Sequence, residues 1–398
     1  MSPPLKIAVN TLFLVPGDVG GSETYLRQSL RALAALPSPP SLLVLTNAEN
    51  DALLRADLAS FPSVSFHPTA LRAASRPRRL LWEQFRLPAL LDSLSPDVVW
   101  HPGNACPVLR LPRAPQAVTI HDLQYLRFPS DFTPAALLAM RLLTSATMRR
   151  ATAIVAVSDF TRSELLSVGV PPARVRVATE GVSPEFFPAA DAPLPPPPPP
   201  VAAIAAPYLL TVAHSYPHKD LPVAVLAFAR YLDFTPSAPH HLVLLGKPRQ
   251  GEPALQKALA SLPPPVRARV HRFDSLPFAD LPALYRNAAA FLFPSRYEGF
   301  GLPVLEAMAS RTPVLAAPCA SVPEVAGDAA HFAEPGNPDA FASALSGLLS
   351  LSPASRAALL DRASARAASF TWTASANALL DALQATADLR NPARKEPA

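Results

Sequence analysis

The sequence predicts an α/β protein built from two doubly wound domains. Three observations carry that expectation. Short apolar runs alternate with segments of helical period, and the alternation is completed twice. At 398 residues the chain exceeds one ordinary core and suits two. Between the two series lies a proline-dense interval, 189–206, that reads as a linker between domains at 1–188 and 207–370.

The first domain opens with a strand at Lys6 to Val9. A loop with Gly17, Gly20 and Gly21 then enters a helix from Ser22 to Leu36, with Leu26, Leu30 and Leu33 on one face and Ser22 as its cap. A glycine loop between strand and helix is a weak phosphate signal, and it also reads as a plain tight turn. Strands follow at Ser41 to Thr46 and Val64 to Phe66. Arg72 to Leu91 is predicted as one long basic amphipathic stretch, with Arg72, Arg76, Arg78, Arg79 and Arg86 among Leu80, Leu81, Trp82 and Phe85. It has two readings: packing on the sheet, or contact with the inner face of an anionic membrane.

Asp97 to His101 is a strand ending at Pro102-Gly103-Asn104. Ala117 to Ile120 is another, and it runs into His121-Asp122. His121 therefore falls at the carboxyl end of a strand, where ligands bind in open α/β sheets. A helix is predicted at Pro134 to Arg150 and a strand at Ile154 to Val157. Ser158 caps the next helix, and a last strand, Val175 to Ala178, ends at Glu180-Gly181-Val182. In the linker, Pro195 to Pro200 is predicted to form neither helix nor sheet. As an extended left-handed segment it would span on the order of 19 Å, either setting domain spacing or lying as a surface insertion.

The second domain begins with a strand at Tyr208 to Val212 and a turn. Lys219 and Asp220 are expected to start a helix reaching Tyr231. Strands follow at His241 to Gly246 and Arg269 to Phe273, with a helix at Leu281 to Asn287. The stretch LFPSRYEGFGLPVLEAMA, 292–309, then reads as strand end, glycine turn and helix start, with Pro303 at the first helical position. Such a junction makes an anion cradle from the amides of Phe300, Gly301 and Leu302, helped by the helix dipole. Carboxylates repel a phosphate, so Glu298 and Glu306 on either side are better suited to hydroxyls. One phosphate cradle between two hydroxyl acceptors fits a nucleotide sugar. The remainder is a strand at Pro313 to Ala316 and helices from Asn337 to Leu389.

Composition narrows the class. Hydrophobic residues make up 49% and charged residues 16%, which indicates a well-buried globular protein. The net charge of +5 suits an anionic small substrate or lipid surface, and no nucleic-acid-binding signature is present. Cys106 and Cys319 fall in different domains without metal-ligand spacing, so a reducing compartment and no metal site are expected. MSPPLKIAVN lacks the apolar core of a signal peptide, and no run of 18 apolar residues exists; a cytoplasmic protein is expected.

RYEGFGLPVLEAMA, with Glu298 and Glu306 in E-x7-E spacing, resembles the signature of retaining glycosyltransferases of the GT-B fold, family 4, group 1 type. GG-E-T-Y at 20–25, HDLQYLRFPSDF at 121–132, VSDFTRSELLSVGV with VRVATEGVSPEFF, and AHSYPHKDL at 213–221 resemble other elements of that family. The resemblance implies two Rossmann-like domains facing a central cleft, the first on the acceptor side and the second binding the nucleotide-sugar donor. It implies that a last helix, 371–390, crosses back to the first domain. The catalytic residues it points to are His121, Glu298 and Lys219. Lys219, the 299–302 loop (Gly299, Phe300, Gly301, Leu302) and the Gly20-Gly21 amides would serve the diphosphate, Glu298 and His121 the sugar, and Glu306 the ribose. The usual arginine before Lys219 is replaced by His218, whose charge decides how far it substitutes.

No Asp-x-Asp pair occurs, so no essential metal and no cofactor beyond the nucleotide-sugar co-substrate are expected. The resemblance further implies retention of configuration and a saccharide or lipid-linked acceptor. The HDLQYLRFP and PHKDL variants point to bacterial mannosyl- or related hexosyltransferases of cell-surface polysaccharide. Two alternatives stay open: a non-catalytic nucleotide-sugar-binding protein and a sugar-nucleotide epimerase of similar architecture.

Overall fold

Seven strands form the first sheet, in the order β3-β2-β1-β4-β5-β6-β7. They are β1 (Lys6–Asn10), β2 (Ser41–Thr46), β3 (Val64–Pro68), β4 (Val98–His101), β5 (Gln116–Ile120), β6 (Ala153–Ala156) and β7 (Val175–Val177). Six form the second, in the order β10-β9-β8-β11-β12-β13: β8 (Tyr208–Val212), β9 (His241–Leu245), β10 (Val270–Phe273), β11 (Ala288–Phe293), β12 (Val314–Ala316) and β13 (His331–Phe332). Every pairing in both sheets is parallel. The computed structural model describes residues 3–18, 20–189, 193–204 and 207–389.

Contacts divide the chain into two units. Unit 1 holds Met1–Arg127, Phe132–Gly181 and Thr371–Ala398; unit 2 holds Phe128–Asp131 and Val182–Phe370. The division falls at Gly181 rather than 188, and it places the last helix, Trp372–Asp388, in unit 1. There that helix packs against the helix Gly21–Ala34 and strands β4 to β7. Trp372, Leu379 and Leu383 are buried along its inner face. Its start lies so close to Gly181 that a Cβ there would meet the Trp372 nitrogen at 2.3 Å.

The strands read as near-continuous apolar runs because parallel sheets are covered on both faces. β4, β5 and β6 are buried throughout. In unit 2, Phe228, Leu242, Leu292 and Phe341 belong to one core.

Several expectations are corrected. The segment 72–91 is not one helix but two, Arg76–Phe85 and Leu87–Leu94, broken at Arg86 just before Pro88. Proline cannot sit inside a helix but fits its first turn, so a second helix restarts there. By the same rule Pro199 and Pro200 open a short helical turn, Pro199–Ala202, inside the hexaproline predicted to exclude helix; Pro198 before them is extended. Of the expected linker, residues 190–192 and 205–206 lie outside the described residues, as does 390 of the last helix. Ser22 does not cap its helix: Gly20 takes the cap position and Glu23 accepts the Gly17 amide at 2.6 Å. Lys219 and Asp220 precede the helix Leu221–Phe234; Lys219 ends a 3-10 turn and Asp220 is left-handed. A helix at Asp51–Leu58 was not anticipated.

Candidate active site

Strand order in unit 2 reverses between β8 and β11, which are neighbours in the sheet but far apart in sequence. In open parallel sheets such a reversal leaves a crevice at the carboxyl ends of the two strands. Lys219 follows β8 and Glu298 follows β11, so this topology brings them together across 79 positions. Lys219 Nζ lies 2.7 Å from both Glu298 carboxylate oxygens. The ammonium also sits 5.9 Å from the centre of the Phe293 ring. Both side chains are largely shielded from solvent.

The glycine turn is held from below. Ser321 Oγ donates to the carbonyls of Glu298 at 3.0 Å and Phe300 at 2.7 Å. The Arg296 amide donates to the His218 carbonyl at 2.7 Å. Gly301 caps the helix Leu302–Ala309 with φ +107°, a conformation that side chains rarely adopt. Because the carbonyls of this turn face Ser321 and the next helical turn, its amides face elsewhere. Among the described residues the N–H groups of Phe300, Gly301 and Leu302 donate to no protein acceptor. Three unsatisfied donors at a helix start form an anion-binding geometry.

Glu306 sits one turn further on, buried, and accepts the Tyr285 hydroxyl at 2.8 Å. Burial first, and then the Glu306 charge, raise the Tyr285 pKa well above its ordinary value, so the hydroxyl remains a donor. His218 is buried, stacks on Tyr216 at 5.7 Å and lies 3.5 Å from Asp131. Burial and the adjacent Lys219 push its pKa down to about 2, so the imidazole is neutral. It therefore does not bring the positive charge an arginine would.

Unit 1 holds the remaining expected residues. Gly20 and Gly21 start the first helix, and Gly20 has φ +62°. Tyr25 of that helix packs edge-on against His121 at 4.9 Å. The loop after β4 fixes His121: Asn104 Oδ1 accepts the His121 amide at 2.7 Å, and Nε2 lies 2.8 Å from the Pro102 carbonyl. Nδ1 faces Glu180 Oε1 at 3.7 Å. Burial lowers the His121 pKa, but Glu180, the Pro102 carbonyl and Asp122 together outweigh it, and the net shift is upward. An acceptor at each ring nitrogen favours the charged imidazolium more than in a free imidazole.

The sequence reading passed over Glu180, Tyr285, Ser321 and Asn104 as site residues. Glu180 had a usable signal, since it follows a predicted strand at its carboxyl end. The partner roles of Tyr285 and Ser321 had none, because they arise from packing across the fold. Among the described residues, no group of three or more His, Cys, Asp or Glu side chains could hold a metal ion.

Comparison with known proteins identifies the family. Residues 206–351 match the description of glycosyl transferases group 1, and residues 19–186 that of glycosyltransferase family 4. The O-antigen chain mannosyltransferase B of Escherichia coli is 30% identical over 298 residues, 74% of each chain. The chain belongs to the family 4, group 1 glycosyltransferases. This glycosyltransferase is also 24% identical to the O-antigen chain mannosyltransferase RfbU of Salmonella typhimurium over 276 residues, 68% of this chain and 71% of the relative. Its fold is GT-B. Anabaena HepE, solved with UDP-glucose, superposes with a TM-score of 0.71 at 17% identity, covering 96% of this chain and 100% of that one. WaaG, a glycosyltransferase of lipopolysaccharide biosynthesis, gives 0.66 at 17% identity over 97% and 99%. Among the described residues, no helix of the glycosyltransferase is long and apolar enough to cross a membrane.

Proposed function

We propose that this glycosyltransferase is a retaining, metal-independent hexosyltransferase that uses a nucleotide-diphosphate sugar. The observation that carries the proposal is the set of unpaired amides at 300–302 next to the Lys219–Glu298 pair. In the free protein lysine and glutamate satisfy each other. A bound donor offers both a better partner: its diphosphate takes Lys219 and the helix amides, and its sugar hydroxyls take Glu298. Glu306, oriented by Tyr285, accepts from the ribose. The family resemblance implies that the His121 imidazole serves the sugar and the Gly20-Gly21 amides the diphosphate. As the bond from the sugar anomeric carbon to the diphosphate breaks, the acceptor oxygen bonds that carbon on the same face. The acceptor proton passes to the leaving phosphate, and fixed donors stabilise the charge that grows there.

The hexose is proposed to be mannose and the acceptor a saccharide or lipid-linked chain of cell-surface polysaccharide, made on the cytoplasmic side. The two O-antigen mannosyltransferases named above support this reading. The test is thermal shift against a panel of nucleotide sugars, followed by nucleotide release on adding acceptor. One nucleotide sugar is expected to raise the melting temperature and to release its nucleotide on transfer. A protein stabilised by no nucleotide sugar would end the proposal. Tight donor binding without release would make it a sensor, the reading that neutral His218 favours. An altered sugar in the recovered donor would make it an epimerase.

A further inference from the structure

The long unit 2 segment begins at Val182 and ends at Phe370. These two ends are tied, because the Val182 amide donates to the Phe370 carbonyl at 3.0 Å. Each end also carries one phenylalanine onto a different part of the site described above.

The first end carries Phe186. It closes the 3-10 turn Pro184–Phe186, which is fastened where the Arg286 guanidinium donates to the Glu185 carbonyl at 2.6 Å. The Phe186 ring is buried and stands edge-on to Tyr285 at 5.9 Å, with Phe278 against it at 5.8 Å. Phe291 packs on Tyr285 as well, at 5.4 Å, and Thr312 Oγ1 donates to the Tyr285 carbonyl at 2.7 Å. Close packing of this kind restricts Tyr285 to the rotamer that aims its hydroxyl at Glu306.

The second end carries Phe370. Its ring stands edge-on to Phe300 at 5.7 Å, and the Arg366 guanidinium lies 4.8 Å over it. Arg366 is itself fastened, donating to the carbonyls of Glu324 at 2.6 Å and Val325 at 3.1 Å. Phe300 opens the run of amides at 300–302 that donate to no protein acceptor. A ring anchored in this way limits backbone rotation at Phe300, and with it the direction of those amides.

We propose that Phe186 and Phe370 are positioning residues for opposite ends of the nucleotide-sugar donor. Phe186 fixes the ribose acceptor Glu306 through Tyr285, and Phe370 fixes the diphosphate amides through Phe300. Neither ring has a polar group, so each acts only through the residue it packs against. This assignment rests on the donor reading given under the proposed function.

The test is calorimetric titration of the full chain with UDP, GDP and ADP. The diphosphate that the wild type binds most tightly is then compared with its dideoxyribose analogue, and inorganic pyrophosphate is measured as a competitor. F186L is used because leucine keeps the buried position filled. It is expected to weaken the nucleoside diphosphate roughly tenfold, but the dideoxyribose analogue less than about twofold, because that analogue offers Glu306 no hydroxyl. Pyrophosphate should be unaffected by F186L. F370A is expected to weaken all three ligands by a similar, roughly tenfold factor, because each uses the amides. Adding F186L to Y285F should leave the preference for ribose where Y285F alone puts it, since both act through one hydroxyl. An F186L loss shared equally by the ribose and dideoxyribose forms overturns the proposal, as does an F370A variant that spares pyrophosphate; the rings would then only fill space. Wild-type affinities in both variants overturn it too. A wild type that binds none of the three diphosphates ends the donor reading itself, and this assignment with it.

Discussion

Lys219 Nζ sits 2.7 Å from each oxygen of the Glu298 carboxylate, although the two residues belong to different strand–turn junctions. They meet because β8 and β11 flank the point where strand order reverses. Lys219→Ala and Glu298→Ala are each expected to cut turnover at least roughly tenfold, the scale of one lost charge-stabilising contact. Circular dichroism and thermal melts should show both variants folded. Wild-type turnover in both would remove the proposed site.

Glu180 is expected to shift His121 toward its charged form. The folded-state pKa of His121 is raised above the ordinary 6.5. The stabilisation from its charge is therefore complete below 6.5 and disappears as pH rises through the higher folded value. Glu180→Gln removes the largest of the effects that raise it, so burial should then draw the titration downward. Imidazole chemical shifts followed against pH read this directly, and the alkaline limb of the rate profile should move to lower pH with them. A His121 titration unchanged in the variant would mean that Glu180 only fills space.

Tyr285→Phe deletes the hydroxyl that donates to Glu306 and leaves the ring packing in place. Losing one buried hydrogen bond to a carboxylate costs about 1–3 kcal/mol. Urea denaturation should show a loss of that size, and donor affinity should weaken as Glu306 loses its orientation. Undiminished stability and donor affinity would show that the hydroxyl is dispensable.

At Gly181 an added Cβ would stand 2.3 Å from the Trp372 nitrogen and 2.5 Å from the Thr371 carbonyl carbon. Both obstacles are backbone and cannot rotate away. Gly181→Ala is expected to lose about 1–3 kcal/mol through displacement of the last helix from unit 1. Gly347→Ala is the control: it meets nothing within 4 Å on the helix Pro338–Leu349 and should be neutral or gain up to about 1 kcal/mol. Equal stability of the two variants would show that the last helix is not pinned at Gly181.

Much of this architecture is legible in the order of residues. Buried parallel strands are short apolar runs, and Ser158 before an amphipathic segment does cap its helix, accepting the Thr161 amide at 3.0 Å. Gly301 is readable too, because a left-handed cap admits few other residues. The helix-opening role of proline is legible at Pro303 and Pro134 but not at Pro88 and Pro199, where neighbouring residues mask the restart. His218 was readable as a departure from arginine but not as a neutral group, since its burial depends on neighbours distant in the chain.

Residue order was enough for the α/β class, the two sheets and the loops that carry Lys219, Glu298 and His121, because apolar period and turn chemistry act over a few neighbouring residues. That Lys219 grips Glu298, that Tyr285 orients Glu306 and that Glu180 faces His121 emerged with the folded chain. Those pairings depend on which strands become neighbours and on how deeply each group is withdrawn from water, and both are settled by packing across the whole fold.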